Sequence, residues 1–214
     1  MRIFCWTPCG VERTGIRMTL VPILRRTMLA LFLALPAAAQ DVSAAAPFIE
    51  RTSRELGALI AAHPDPAKRR VQLAPFLDRV VDQDSLARFC LGRYWPQATP
   101  AQQAEYLQLF RAMLATNVAE RLASATSELA QVQTGRPERQ GDEIVVPTTV
   151  TRPNNKPNRI VWVVVPSGDT FRLVDVVAEG MSLRITQRSD YTSFLQRNGG
   201  TMETLLAALR QQVR

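Results

Sequence analysis

The chain has 214 residues, 46% of them hydrophobic and 21% charged, with a formal net charge of +7. That balance excludes a disordered tail and suits one globular unit or two small subdomains. Nor is the basic excess a nucleic-acid footprint: residues 1–39 hold five basic side chains against one acid, which leaves about +3 for the rest. The remaining arginines are scattered among acids without interleaved aromatics, the pattern of a solvated surface.

At the N-terminus Arg25 and Arg26 precede the apolar run Met28 to Leu35, followed by Pro36 and Ala37-Ala38-Ala39. A positive end, a short greasy core and small residues are what a secretory signal requires, and the core is too short for a stable membrane anchor. Cleavage is expected after Ala39, giving a soluble exported protein of residues 40–214. Residues 1–21 lack the signal pattern, so translation starting at Met18 or Met28 is the natural reading of the extension. Cys5 and Cys9 fall in the discarded segment, which leaves Cys90 alone, with no intramolecular disulfide.

Residues 47–95 read as helical. Phe48, Ile49, Thr52, Leu56, Leu59 and Ile60 recur at helical spacing, and Pro64 stops that helix by forcing His63 out of the helical region. A second helix is expected from about Pro66 to Val81 and a third from about Ser85 to Arg93, with Cys90 a buried small hydrophobe. The clearest start is at Thr99, an N-cap followed by Pro100 at the first helical position and Gln102 at the third, which together form a capping box. One side of this helix carries Tyr106, Phe110, Met113, Leu114, Asn117, Val118 and Arg121, either as core or as the wall of a ligand cavity.

The polar stretch from Gly135 to Gly141 marks a change to strands. Ile144, Val146, Thr148 and Val150 share one face of the first, and Pro147 on the other face implies a sheet edge or a bulge. After a turn at residues 153–157, Ile160, Trp162 and Val164 oppose Val161, Val163 and Val165. A turn at residues 166–169 leads to Phe171, Leu173, Asp175 and Val177, assigned to one face by alternation. Three short-connected strands make an antiparallel meander whose middle member is apolar on both faces and needs cover on both. Beyond Gly180 the chain is expected to stay extended or turning through Leu183 and Ile185, with a helix near Arg188 to Asn198. Gly199 then ends that helix, and Thr201 caps a last one.

No catalytic set accompanies this interior. A single histidine, His63, without nearby cysteines supplies neither a zinc site nor a proton relay, and no nucleophile elbow or phosphate-cradling glycine loop is present. Asp82 and Asp84 read as helix caps. Asp175 and Glu179 interrupt apolar sequence, and a buried Asp175 must be hydrogen-bonded or paired, with Arg188 or Arg172 the candidate cations. No metal and no cofactor are expected.

Several motifs carry a family resemblance. Leu91-Gly92-Arg93-Tyr94-Trp95, Thr99-Pro100-Ala101-Gln102, the run Asp175 to Ser182 with Glu179 and Gly180, and Arg188-Ser189-Asp190-Tyr191 together resemble the MlaC, or toluene-tolerance, family. The resemblance implies an α+β fold in which a curved antiparallel sheet of the NTF2-like type packs with a helical subdomain around an apolar lipid cavity. The helical part is expected at about 47–130, the sheet and C-terminal helices at about 142–213. It also implies a monomeric, periplasmic carrier of phospholipid acyl chains between an inner-membrane MCE-domain/ABC transporter complex and an outer-membrane lipoprotein complex. The expected lining is Tyr106, Phe110, Met113, Leu114, Val146, Val150, Ile160, Trp162, Val164 and Phe171. Gly92, Tyr94, Asp175, Glu179, Gly180, Ser182 and Arg188 are expected to serve structure. Alternatives are a hopanoid or other lipid as cargo and, from a different class, a small-molecule enzyme with the NTF2-like type of sheet.

Overall fold

The computed structural model describes residues 41–122, 131–151 and 156–213. The signal segment with its cleavage point, the end of the helical part beyond 122 and most of the turn at 153–157 lie outside the described residues. Four helices come first: α1 (Ala45–Ala62), α2 (Pro66–Val80), α3 (Gln83–Leu91) and α4 (Pro100–Arg121). Then come strands β1 (Gln131–Thr134), β2 (Glu138–Gln140), β3 (Glu143–Thr151), β4 (Asn158–Ser167), β5 (Thr170–Ala178) and β6 (Met181–Ser182), and finally α5 (Leu183–Arg197) and α6 (Met202–Gln212). The fold is α+β.

Local chemistry sets most helix starts. Asp65 accepts a hydrogen bond from the Lys68 amide at α2 and Asp82 one from Ser85 at α3. The capping box at Thr99 is complete, with the Gln102 amide donating to Thr99 Oγ1 and the Thr99 amide to Gln102 Oε1. The third helix ends at Leu91 rather than at Arg93, because Gly92 turns the chain at φ +56° and a 3₁₀ segment, Gly92–Gln97, follows.

The sheet is antiparallel in the order β1-β3-β4-β5-β6, with β2 also on β3. The expected meander is its centre. Pro147 is not on an edge strand: it lies opposite the break between β1 and β2, where the Gly135 amide donates to the Pro147 carbonyl. The two short outer strands were invisible to an apolar pattern because they are polar and mostly exposed.

Two corrections follow from β5 and α5. The register of β4 against β5 shifts between Val163 and Val164, which leaves Val174 unpaired as a bulge. Phe171 and Leu173 therefore share a face with Val176, opposite Val164 and Trp162, while Asp175 pairs with Val163 on the other face. Strict alternation fails there because one inserted residue reverses every later side chain. The extended stretch expected through Leu183 and Ile185 is instead the first turn of α5, which Ser182 caps by accepting from the Ile185 amide.

Packing produces two cores. One joins α1, α2 and the end of α4 to the sheet face bearing Ile144, Val146, Val164, Phe171 and Leu173. The other joins α3, the start of α4, α5 and α6 around Tyr106, Phe110, Tyr191, Leu195 and Leu206. Buried Arg69 ties this arrangement at one end, donating to the carbonyls of His63, Pro64 and Leu122. Among the described residues no helix is long and apolar enough to cross a membrane.

Candidate ligand cavity

Between the two cores lies a cavity of about 350 Å³, within the usual range for small-molecule sites. Its walls come from every layer. Leu56 of α1 and Phe76, Leu77, Val80 of α2 stand on one side, Leu86 and Cys90 of α3 on another, and Phe110, Met113, Leu114 and Val118 of α4 form the long wall. Trp162, Leu173 and Val176 supply the sheet side, and Leu183 of α5 closes the rim. These side chains are apolar because each element turns its core stripe toward the seam, and the seam is not filled.

Trp162 can face an apolar space without an orphaned donor. Its Nε1–H donates to Thr148 Oγ1 at 3.0 Å, and that hydroxyl donates to the Ile160 carbonyl at 3.1 Å. The indole body is thus left as wall, with its polar atom satisfied inside the sheet.

Polar groups gather at the α5 side, where Asn117 and Arg121 from α4 meet Arg184, Thr186, Gln187 and Asp190. Asp175 organises this rim. Its carboxylate accepts from the Val176 amide at 2.8 Å, Ser182 Oγ at 2.5 Å and the Arg184 amide at 3.0 Å. The partner cation is Arg184, with Nε 3.4 Å from Asp175, and not Arg188 or Arg172. Arg172 instead donates to the carbonyls of Asp78 and Val81. The Nε contact is close in charge but poorly aimed, for that buried nitrogen lacks a well-formed hydrogen bond. Arg184 spends its other nitrogens on Glu143, at 2.6 and 3.0 Å. That bidentate bond, with further attraction from Asp175, raises the guanidinium pKa and keeps it charged.

Cys90 shows why the wall is not nucleophilic. Burial first, and the charge of Asp175 second, push its thiol up to about 12, so at neutral pH it carries no thiolate. Tyr106 and Tyr191 are likewise raised by burial. No group of His, Cys, Asp and Glu able to hold a metal occurs among the described residues.

Of the residues expected as lining, the structure brings Phe110, Met113, Leu114 and Trp162 to the cavity. Tyr106 lies deeper in the second core, its hydroxyl donating to the Ala87 carbonyl and its ring packed against Trp95, Phe110 and Tyr191. Val146, Val164 and Phe171 belong to the packed core under α1, where Phe171 meets Phe48. Val150 and Ile160 are half-buried on the same sheet face, away from the cavity wall. The contributions of α1, α2, α3 and α5 were missed. Their signals were the α1 stripe with Leu56 and the stripe expected on the second helix, Val71, Phe76, Leu77, Val80 and Val81, neither of which separates core from wall; Val71 is in fact exposed.

The expected structural residues converge. Glu179 takes φ +54° and Gly180 φ +79° in the turn between β5 and β6, which returns Ser182 to Asp175. Gly92 and Arg188 meet beside Phe89: a Cβ on Gly92 would stand 3.1 Å from Arg188 Nε. Tyr94, buried, accepts a hydrogen bond from Arg93 on its hydroxyl.

A family model described as MlaC protein matches residues 50–211 of the chain. The fold is also that of a phospholipid-binding protein from Ralstonia solanacearum, solved in complex with a phospholipid. The two superpose with a TM-score of 0.68 over 79% of this chain and 96% of that one, at 23% sequence identity. At this identity the likeness is one of fold.

Proposed function

The chain belongs to the MlaC family, and we propose that it is a periplasmic carrier that holds the acyl chains of a phospholipid in the cavity between its two cores. The observation that carries this reading is the seam itself, an unfilled space walled mainly by apolar side chains, among them Leu56, Leu77, Phe110, Met113, Leu114 and Trp162, with most of its polar groups contributed by α5 and the end of α4. Each methylene moved from water into such a space is worth about 0.8 kcal/mol. A lipid crossing an aqueous compartment needs that shelter, and the headgroup would sit at the polar rim beside Asn117, Arg121 and Gln187. The fully bonded carboxylate of Asp175 and the protonated thiol of Cys90 favour a container over a catalyst.

In this reading residues 1–39 are the export segment and 40–214 the mature carrier. It exchanges lipid, as a monomer, with an inner-membrane MCE-domain/ABC transporter complex and an outer-membrane lipoprotein complex. The test is transfer: purified protein loaded with a fluorescent phospholipid is mixed with the reconstituted inner-membrane complex. Carrier-dependent movement of the label is expected. An equal rate with and without the carrier would sink the proposal.

A further inference from the structure

Three of the large hydrophobic side chains left exposed in the described residues fall within five positions: Met181 at 61%, Leu183 at 41% and Ile185 at 58%. They lie on β6 and the first turn of α5, at the tip of the connection from β5 to α5. Leu183 both borders the cavity and reaches solvent, so apolar surface runs from the interior to this tip. Exposed aliphatics gathered at the rim of a cavity mark a contact site rather than chance exposure.

The same helix offers a cation at this place. Arg188 lies three residues after Ile185 and is therefore its neighbour on the helix surface. Its guanidinium is held against the Phe89 ring, 5.0 Å from the centroid, and against Gly92, where no side chain intervenes. Arg184 stacks on the same Phe89 ring, but its charge is taken by Glu143 and Asp175. Among the described residues Arg188 forms no salt bridge. Phe89 and Gly92, on and next to α3, thus hold the Arg188 guanidinium by packing rather than by an ion pair.

We propose that this tip docks on a lipid bilayer: Met181 and Ile185 enter the boundary between headgroups and acyl chains, and Arg188 binds lipid phosphate. The inference rests on the carrier reading, since docking here would bring the cavity rim at Leu183 to the membrane in which the partner complexes sit. Exposed apolar residues beside an arginine without a salt bridge among the described residues match the amphipathic character of that boundary. A protein hot spot would instead favour a central aromatic anchor.

The experiment is flotation of the purified full protein with vesicles of phosphatidylcholine containing a minor fraction of phosphatidylglycerol, with bound cargo lipid measured on the same samples. Met181→Ser/Ile185→Ser is expected to lower vesicle binding about tenfold or more, because the apolar insertion is lost. Arg188→Gln is expected to weaken binding and reduce its salt sensitivity. Neither variant touches the cavity wall, so cargo should stay at the wild-type level. Absence of wild-type flotation, or equal flotation of the double variant, overturns the proposal. So does a double variant that floats normally yet fails to deliver lipid to a protein acceptor, which would make the tip a protein-docking surface. Wild-type flotation without any cargo would refute the carrier reading and leave the docking surface standing.

Discussion

Leu114→Asp places a carboxylate in the long α4 wall, at a half-buried position that borders the cavity and packs on the edge of both cores. When the cavity of about 350 Å³ is empty, it has room for about twelve waters at ~30 Å³ each, so the charge stays hydrated and the cost to the fold is mainly the lost packing of the Leu114 side chain. Acyl chains displace that water, and the carboxyl must then be neutralised. From a reference pKa of ~3.9, protonation at pH 7 costs about 4 kcal/mol at 1.36 kcal/mol per unit. Lipid loading should fall by about a hundredfold to a thousandfold, while the denaturation midpoint shifts far less. Because the loaded state has the raised pKa, the penalty shrinks as pH falls and should nearly vanish close to pH ~4. Lipid extracted from the purified variant at several pH values, with its unfolding curve, measures both effects. A folded Leu114→Asp protein that carries wild-type amounts of lipid at pH 7 would refute the placement of this wall.

Asp175→Asn keeps the shape but removes the charge that three donors and Arg184 address. It should cost about 2–4 kcal/mol in chemical denaturation, and a loss below about 0.5 kcal/mol would count against the carboxylate as organiser of the α5 start. Gly92→Ala meets both a positive φ of +56° and the Arg188 guanidinium, 3.1 Å from the new Cβ. A destabilisation of about 1–3 kcal/mol is expected, and a neutral result would contradict the close packing on Arg188. Cys90 should resist alkylation at pH 8 until the protein unfolds, whereas rapid labelling of the folded chain would mean an open, ionised thiol. With the folded pKa at about 12 against a reference of 9.0, its contribution is intact below pH 9 and is lost as pH rises toward 12. Cys90→Ala should flatten that part of the stability profile.

The legibility of this chain divides by the range of the interactions involved. Helix α4 and the β3-β4-β5 meander could be read because their signals are local: a Thr-Pro-Ala-Gln start, and side chains alternating along single strands. The α5 start could not, since Met181, Leu183 and Ile185 show no buried periodicity. What begins that helix is a carboxylate from β5 that takes the Ser182 hydroxyl and the Arg184 amide across the turn. The bulge at Val174 is equally silent, for no glycine or proline marks it. The cavity is the least local feature of all. Phe110 and Trp162 were expected there from an apolar face, but the same criterion chose Tyr106 and Val164, which the fold packs as core. A wall residue and a core residue have the same chemistry, and only the gap between two cores distinguishes them. Arg69 shows the converse: a charged side chain in a basic stretch that the fold buries against three carbonyls.

Native mass spectrometry of the mature protein, purified without detergent, reads the contents of the seam between the two cores directly. A population of chains carrying phospholipid, displaced in Leu114→Asp and retained in Met181→Ser/Ile185→Ser, is the expected result. Only lipid-free protein, under conditions that preserve other lipid complexes, would contradict the carrier reading.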